Sequence, residues 1–328
     1  MTVNIRWKMQ HVNMSCACAG VAMLLSAYGI DKEDCDVIEE CRMPFLIEYD
    51  QEGDFLQAGM LVQRDEVFNL LCRQFDLEIV SRRAADWQEY FPGAVSLLEN
   101  GRAFMTSATK KLIPLHSYDK IRNDKNAAEG HAIVLYKYAD RQFHFYDPSG
   151  GLDKQKEFKF EDVEHLVSAK ISEADLRKAL EEKNGVRFII GFLQRSSGAK
   201  VLDLDVALEN SLRAVQVFRD KMLHLEDVMM EKYGAINYDG FLECIFAYIK
   251  PMALDLKNAV KVMRVRTDIQ GRLVEKLDIL QNMVLQRQRG LKGGSDEKSF
   301  SPILSDISQT ITELTLKHLD SFRTLYQA

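Results

Sequence analysis

The sequence predicts an α+β domain followed by an all-α helical bundle in a chain of 328 residues. Up to about residue 195, runs rich in aromatic and β-branched residues alternate with helix-like runs, a mixture typical of α+β folds. From about residue 201, apolar residues recur at steps of three and four, which indicates amphipathic helices. We therefore predict two domains, residues 1–197 and 198–328, joined by the short linker Arg195–Lys200.

Four strands and two helices are predicted in the first domain, apart from the helix that begins at residue 16. The strands are Ala103–Thr109, His131–Tyr138, Gln142–Pro148 and Val186–Gln194. Only three residues separate the second strand from the third, so these two are expected to form a β-hairpin. The spacing of apolar residues predicts helices over Asp65–Phe75 and Glu161–Ala169.

Three amphipathic stripes define the second domain. They run from Leu204 to Met229, from Ile269 to Val284 and from Ile307 to Leu325. Pro251 and the glycine-containing segment 290–294 are predicted to break the chain between helices. No repeat of about 34 residues, or of a similar period, is evident, so the pattern does not indicate a solenoid.

The composition is that of a chain with a hydrophobic core. Apolar residues make up 46% of the sequence, and the formal net charge of −6 argues against a general nucleic-acid binder. The most apolar stretch, Cys16–Ile30, is shorter than the ~20 residues of a spanning helix. Six scattered cysteines suit a reducing compartment, and the N-terminus lacks a basic-then-apolar signal pattern. We predict a cytoplasmic protein, or one exported by another kind of signal, with no membrane partner.

The first candidate site residue is Cys16. The segment from Cys16 to Tyr28 is almost uncharged, which predicts a helix buried on all sides. A cysteine at the start of such a helix lies in the positive field of the helix dipole, which favours the nucleophilic thiolate. Gln10, six residues earlier, offers a side-chain amide to a developing oxyanion. The alternative is that Cys16 is only a small buried apolar residue.

His131 and Asp147 complete the candidate site. His131 opens one strand of the predicted hairpin and Asp147 ends the other, so the two residues are expected to meet at one end of the sheet. An acid beside an imidazole fixes its tautomer and stabilises the imidazolium. Together with a cysteine and an amide donor, they are the parts of a thiol acyl-transfer site. Taken alone, each has a plainer explanation: a strand-end histidine, and a turn aspartate before proline.

These motifs resemble the papain-like peptidases that trim double-glycine leaders from bacteriocins. The resemblance covers about residues 5–150 and rests on the Gln-x5-Cys segment, the apolar helix ending in Tyr-Gly, and the later Gly-His and Asp-Pro pairs. It implies a papain-like fold, with a central helix packed on an antiparallel sheet. It also implies Cys16 as nucleophile, His131 as general base and acid, Asp147 as orienting acid and Gln10 as oxyanion donor. Ala17 stands where those peptidases usually carry glycine.

A second resemblance covers residues 97–148. The segment Leu97–Asp124, running into Gly130–Tyr138, is similar to the N-terminal domain of butirosin biosynthesis protein H. That family combines a papain-like domain with a further C-terminal part. The resemblance implies transfer of an acyl group from a carrier-protein thioester to an amine. The family's usual glycine-rich run after the first helix is not evident in residues 43–62.

We therefore predict a thiol enzyme that forms an acyl-thioester on Cys16 and passes the acyl group to an amine, with a carrier protein presenting the substrate. The first alternative is a cysteine peptidase or amide hydrolase that acts on a peptide or leader. The second is a non-catalytic interaction module or effector, for which Cys16→Ala would change nothing measurable.

Three roles are open for the helical domain: binding a carrier protein, forming a homo-oligomer and covering the cleft. The basic residues between Lys261 and Arg289 would suit an acidic carrier, although a solvated helix face is the plainer interpretation.

Neither a cofactor nor a metal is predicted. The sequence has no phosphate-binding glycine loop, no HExxH motif and no Rossmann fingerprint. Cys16 and Cys18, with His11, form a Cys-x-Cys pair that lacks the second pair of a structural zinc site.

Overall fold

The computed structural model describes residues 4–12, 15–109, 130–148, 168–181, 188–234, 236–263, 268–293 and 301–326. The chain divides into two compact units. The first comprises Met1–Cys41 and Arg64–Val201, and the second Arg42–Gln63 and Leu202–Ala328. The sequence-based boundary assigned residues 42–63 to the first domain. In the structure they belong to the second unit, because their apolar side chains form part of its core.

The strands and helices are distributed over both units. The strands are β1 Ile47–Asp50, β2 Phe55–Ala58, β3 Leu77–Ala84, β4 Phe104–Thr109, β5 Gly130–Ala139, β6 Gln142–Tyr146, β7 Ser168–Ser172 and β8 Phe188–Arg195. The α-helices are α1 Cys16–Ser26, α2 Asp34–Glu40, α3 Asp65–Cys72, α4 Trp87–Glu99, α5 Glu173–Glu181, α6 Leu204–Leu223, α7 Leu225–Tyr233, α8 Tyr238–Cys244, α9 Lys257–Lys261, α10 Asp268–Gly293 and α11 Ser301–Tyr326.

A six-stranded antiparallel sheet, in the order β3-β8-β4-β5-β6-β7, forms the first unit together with α1–α5. The four predicted strands correspond to β4, β5, β6 and β8, and among the described residues their ends differ by one or two residues. Residues 186 and 187 of the fourth predicted strand lie outside the described residues. Residues 161–167 of the predicted helix Glu161–Ala169 lie outside the described residues. At Ser168 and Ala169 that prediction is wrong, because these residues begin β7 and pair with Tyr146 and Phe145 of β6.

Helix α1 lies against the sheet, and every residue from Ala17 to Leu25 is buried. Gly20 allows a close approach, since a Cβ atom at this position would lie 2.6 Å from Sδ of Met105 on β4 and 3.6 Å from Val134 on β5. A helix without a polar face has to be enclosed in this way. Its enclosure fixes the position of its first residue, Cys16.

The second unit is built from α6–α11 and the antiparallel hairpin β1–β2. The first predicted stripe is divided at His224 into α6 and α7. The break predicted at Pro251 is wrong, because the chain remains helical from Tyr238 to Lys261 through two π-helical segments, Ile245–Ile249 and Pro251–Leu256. A proline has no backbone N–H and so removes one hydrogen bond from an α-helix. Around Pro251, the i→i+5 hydrogen bonds of π turns replace the α-helical hydrogen bonds.

Asp54, in the turn of the β1–β2 hairpin, anchors that hairpin within the second unit. Its carboxylate accepts hydrogen bonds from the hydroxyls of Tyr49 (2.7 Å) and Tyr248 (2.6 Å). It also pairs with the ammonium groups of Lys221 (3.0 Å) and Lys232 (2.6 Å). The helix residues that meet Asp54 therefore help to hold residues 42–63 within this unit.

Gly59, at the end of the hairpin, has a positive φ of +53°, and a Cβ atom there would lie 2.8 Å from the carbonyl oxygen of Asp255 and 2.9 Å from Cα of Leu256. We expect Gly59→Ala to lower the free energy of unfolding of the second unit by about 3 kcal/mol, because backbone strain adds to overlap with backbone atoms. Gly234→Ala is the control, since Gly234 has a φ of +66° and open space around it. It should cost about 1 kcal/mol. Equal losses in chemical denaturation would contradict the overlap at Gly59.

Glu78 on β3 holds the end of β8 and the residues that follow it. Its buried carboxylate accepts hydrogen bonds from the hydroxyl (2.7 Å) and backbone N–H (2.9 Å) of Ser197, from the Gln194 amide (2.8 Å) and from the N–H of Ala199 (2.9 Å). These donors lower the pKa of Glu78 to about 2.

Glu78→Gln should lower the stability of the first unit at neutral pH, and the difference from wild type should shrink in acid. The folded pKa of about 2 lies below the ordinary value for glutamate. The stabilisation is therefore complete above that ordinary value and is lost as the pH falls through about 2. Urea unfolding at a series of pH values measures this, with Glu99→Gln, an exposed position on α4, as the control. A difference that does not depend on pH would contradict the prediction.

Among the described helices, none combines the length and the apolar character needed to cross a lipid bilayer.

Candidate active site

Cys16 is the first residue of α1 and is half-buried. The N–H groups of a first helical turn have no partner within the helix and create a positive field there. Burial opposes the thiolate. The effect of burial is outweighed by a hydrogen bond to His131, by the charge of that imidazole and by the backbone N–H groups of Ala132 and Ala17. The pKa of Cys16 therefore lies below its ordinary value.

Cys18 shows the opposite behaviour two residues further along the same helix. It is fully buried, and burial raises the pKa of its thiol well above the ordinary value, with nearby acidic groups adding to the effect. Because the thiolate is the nucleophilic form, the environment of α1 favours Cys16 over Cys18 as a nucleophile.

His131 and Asp147 meet at one end of the β5–β6 hairpin. His131 Nε2 lies 2.7 Å from Asp147 Oδ1, and both side chains are buried. Burial opposes the imidazolium, but the charge and hydrogen bond of Asp147, together with Cys16, raise the pKa of His131 to about 10. With Nε2 directed at Asp147, Nδ1 is the ring nitrogen left for the thiol. The imidazole of His131 is thus bonded to Asp147 on one side and is influenced by Cys16 on the other.

The hairpin turn explains why these residues meet. Asp140 and Arg141 have positive φ angles of 53° and 57°, the conformation of a two-residue type I′ turn. Ala139 consequently pairs with Gln142, and the register continues to Val134 opposite Tyr146, with one irregularity between Leu135 and Lys137. The strand ends that carry His131 and Asp147 are thereby placed side by side.

The N-terminal segment is attached to the same end of the hairpin. The indole N–H of Trp7 donates to the carbonyl oxygen of Asp147 at 2.8 Å, and the backbone N–H of Gln10 donates to that of Pro148 at 2.8 Å. The buried Gln10 side chain donates through Nε2 to the carbonyl oxygen of Val12 at 2.9 Å. A carboxamide carries two N–H donors, so this bond occupies one of them. The role of Gln10 toward an oxyanion stays a prediction.

Asp34, at the start of α2, is a buried residue of this region that the sequence analysis missed. One carboxylate oxygen accepts hydrogen bonds from His11 Nδ1 (2.5 Å) and from the N–H of Cys35 (2.8 Å). The other accepts from the N–H of His11 (2.7 Å) and from Ser15 Oγ (2.5 Å). The sequence carries no signal for the contact between His11 and Asp34, because the two residues are 23 positions apart in the chain and no motif links them.

His11, Asp34 and Cys35 also place three candidate ligand atoms within 4.8 Å of one another. A carboxylate offers about four lone-pair sites, and the four hydrogen bonds to Asp34 fill them. The arrangement is therefore explained without a metal ion.

The basic residues expected to face an acidic carrier protein are partly engaged within the second unit. Arg272 pairs with Glu313 at 3.0 Å, and Arg287 pairs with Glu226 at 2.6 Å. Arg264 and Arg266 lie outside the described residues. The charges of Arg272 and Arg287 are thus partly neutralised by their own helical bundle.

The fold and the site define a mixed α/β chain with an antiparallel sheet, a buried His131–Asp147 pair and a cysteine at the start of a buried helix. No family model matches the chain, and no curated protein matches it. Among solved structures, it is similar to a C39-like peptidase from Bacillus anthracis, with 14% identity and a TM-score of 0.37 over 60% of this chain and 97% of that one.

Two further solved structures are similar to the chain. One is a double glycine motif protease from an AMS/PCAT transporter in complex with its leader peptide, with 13% identity and a TM-score of 0.34 over 60% of this chain and 94% of that one. The other is the peptidase domain of Streptococcus ComA, a bifunctional ABC transporter of a quorum-sensing pathway, with 13% identity and a TM-score of 0.34 over 58% of this chain and all of that one. The butirosin resemblance has no counterpart among these three structures. Their identities and TM-scores are too low to assign a function to this chain.

Proposed function

We propose that this protein is a papain-like cysteine peptidase, or amide hydrolase, in which Cys16 is the nucleophile. His131 acts as general base and acid, and Asp147 orients it. The observation that carries this proposal is the buried pair of His131 Nε2 and Asp147 Oδ1, 2.7 Å apart, together with the influence of His131 on Cys16 at the N-terminus of α1. This is the arrangement that thiol catalysis requires, a nucleophile beside a base that a third group orients.

The first half of the reaction forms an acyl-enzyme. The Cys16 thiolate attacks the carbonyl carbon of the substrate, and the C=O electron pair moves onto oxygen. An N–H of the first turn of α1 and the Gln10 amide are the proposed donors to this oxyanion. When the tetrahedral intermediate collapses, the C–N bond breaks and His131 gives its proton to the leaving amine. An acyl-thioester remains on Cys16.

The second half of the reaction releases the acid. His131, now neutral, takes a proton from a water molecule as the water attacks the thioester carbonyl. The C–S bond then breaks, the carboxylic acid leaves, and the thiolate–imidazolium pair is restored. The elevated pKa of His131 and the lowered pKa of Cys16 both favour this ion pair as the resting state.

The same ion pair favours an amide over a carrier thioester as the acyl donor. An amine is a poor leaving group unless it is protonated, and the imidazolium of His131 supplies that proton. A carrier thiolate is a weaker base and leaves without such help. Acyl transfer to an amine, the function first predicted from the sequence, uses the same acyl-enzyme and differs in the acceptor that reaches it.

Mass spectrometry of the intact protein separates these functions. We would incubate the protein with a mixture of peptides and, separately, with acyl-carrier thioesters, and then measure mass added to Cys16. The proposal expects a peptide-derived adduct in wild type, no adduct in Cys16→Ala, and incorporation of heavy oxygen from labelled water into the released acid. An adduct from thioesters alone, discharged only by an added amine, would replace the peptidase with an acyltransferase. Turnover in Cys16→Ala would overturn both.

A further inference from the structure

One carboxylate holds both ends of the segment that carries the proposed oxyanion donor and the nucleophile. Asp34 binds His11, the residue after Gln10, through its backbone N–H and its ring. It also binds Ser15, the residue before Cys16, through the serine hydroxyl.

The burial of Asp34 gives these contacts their strength. Its side chain has no exposed surface, and a buried carboxylate is tolerated only when its oxygens are hydrogen-bonded. Hydrogen bonds to a charged acceptor are shorter and stronger than those between neutral groups, in agreement with the 2.5 Å contacts to Ser15 and His11. Displacement of either end of the segment would therefore leave part of a buried charge unsatisfied.

The hydrogen bonds of the buried Asp34 carboxylate do not serve mainly to cap α2. The N-terminus of that helix is closed by a capping box, in which Glu33 and Asp36 exchange hydrogen bonds with each other's backbone N–H groups. Within α2, Asp34 accepts a hydrogen bond from the N–H of Cys35, and its other three bonds lead to His11 and Ser15. Most of its bonding capacity is thus directed at the segment before Cys16.

We propose that Asp34 is a positioning residue for the thiol site, which holds Ser15 so that Cys16 stays at the helix N-terminus facing His131. Asp34 does not touch the reacting atoms and acts through Ser15 and His11. This inference rests on the proposed function of Cys16, and it adds a residue from α2 that the Cys–His–Asp group does not contain. Its consequence is that the reactivity of Cys16 depends on a carboxylate outside that group.

Alkylation of Cys16 by iodoacetamide, followed by peptide mapping, tests the inference without a known substrate. We expect Asp34→Asn to lower the alkylation rate of Cys16 at neutral pH roughly fivefold, the effect of about one hydrogen bond. The pH at which the alkylation rate is half-maximal should move upward, because Cys16 would no longer be held facing His131. Asp34→Glu should recover part of the rate, since it restores the charge. Asp36→Asn, on the same helix, is the matched control and should leave the rate at the wild-type value.

The variants also separate failure of this inference from failure of the proposed function. If His131→Ala slows alkylation but Asp34→Asn changes only the melting temperature, Asp34 is merely structural and the inference is overturned. If His131→Ala leaves alkylation unchanged, the proposed function fails as well. Should Asp34→Asn not fold, Ser15→Ala removes a single donor from the same carboxylate. A wild-type rate in that folded variant would overturn the inference.

Discussion

Replacement of Cys16 with alanine will reduce turnover by at least ~10³-fold, the loss typical of removing a catalytic nucleophile. The reason is chemical, because no bond to the substrate carbonyl can form without the sulfur. In the wild type, His131 and the backbone N–H groups of Ala132 and Ala17 lower the pKa of the Cys16 thiol. We also expect iodoacetamide to alkylate Cys16 rapidly in the wild type at a pH below the ordinary pKa of a cysteine.

Cys18→Ala is the matched control for this experiment. It removes a sulfur from the same helix, two residues away, where burial raises the pKa of the thiol. Turnover and Cys16 alkylation should both remain close to wild type in this variant. The assignment of the nucleophile would be wrong if Cys18→Ala were inactive and Cys16→Ala were active.

Asp147→Asn will produce the second largest effect, a loss of turnover of roughly 10²–10⁴-fold by analogy with other catalytic triads. Asp147 is the main support of the imidazolium, and without its charge the burial of His131 lowers the pKa of that ring. A neutral His131 no longer stabilises the thiolate, so the pKa of Cys16 rises. The thiolate–imidazolium pair exists at pH values above the pKa of Cys16 and below the pKa of His131. In Asp147→Asn the lower limit should rise and the upper limit should fall, so this pH range should narrow from both sides.

The pH profile of Cys16 alkylation measures this change directly. In the wild type, the rate should rise at a pH below the ordinary cysteine value, because the pKa of Cys16 is lowered. In Asp147→Asn that rise should move to higher pH. Asp140→Asn is the control, since it changes the same residue type in the turn at the opposite end of the hairpin, and its profile should match the wild type. A profile for Asp147→Asn that matches the wild type would contradict the role of the carboxylate.

The part of the site that follows from local sequence could be predicted. His131 lies on β5, Asp147 directly follows β6, and a two-residue turn joins these strands, so the proximity of the two residues depends on hairpin register. The burial of α1 follows from its lack of charge. Both predictions use residues that are close together in the chain.

The features that depend on distant contacts were not predicted. Strand β3 is mostly buried in its first half and mostly exposed in its second half, and it pairs with β8, more than 100 residues later. In its second half, around Arg82 and Arg83, the residues do not alternate between apolar and polar as they do in a typical strand. Asp34 offers no pattern either, because an aspartate at a helix start is common, and its contacts with His11 and Ser15 arise only on folding.

The insertion of residues 42–63 into the second unit has a consequence for synthesis and for truncation. This segment is synthesised long before the helices that complete its core. Its apolar residues, such as Phe45 and Leu56, therefore remain exposed until Phe218 and the neighbouring core residues have been synthesised. A fragment that stops at residue 197 would keep the thiol and its partners but would leave that apolar surface in water. Such a fragment should aggregate, and a practical shortened version would replace residues 42–63 with a polar loop.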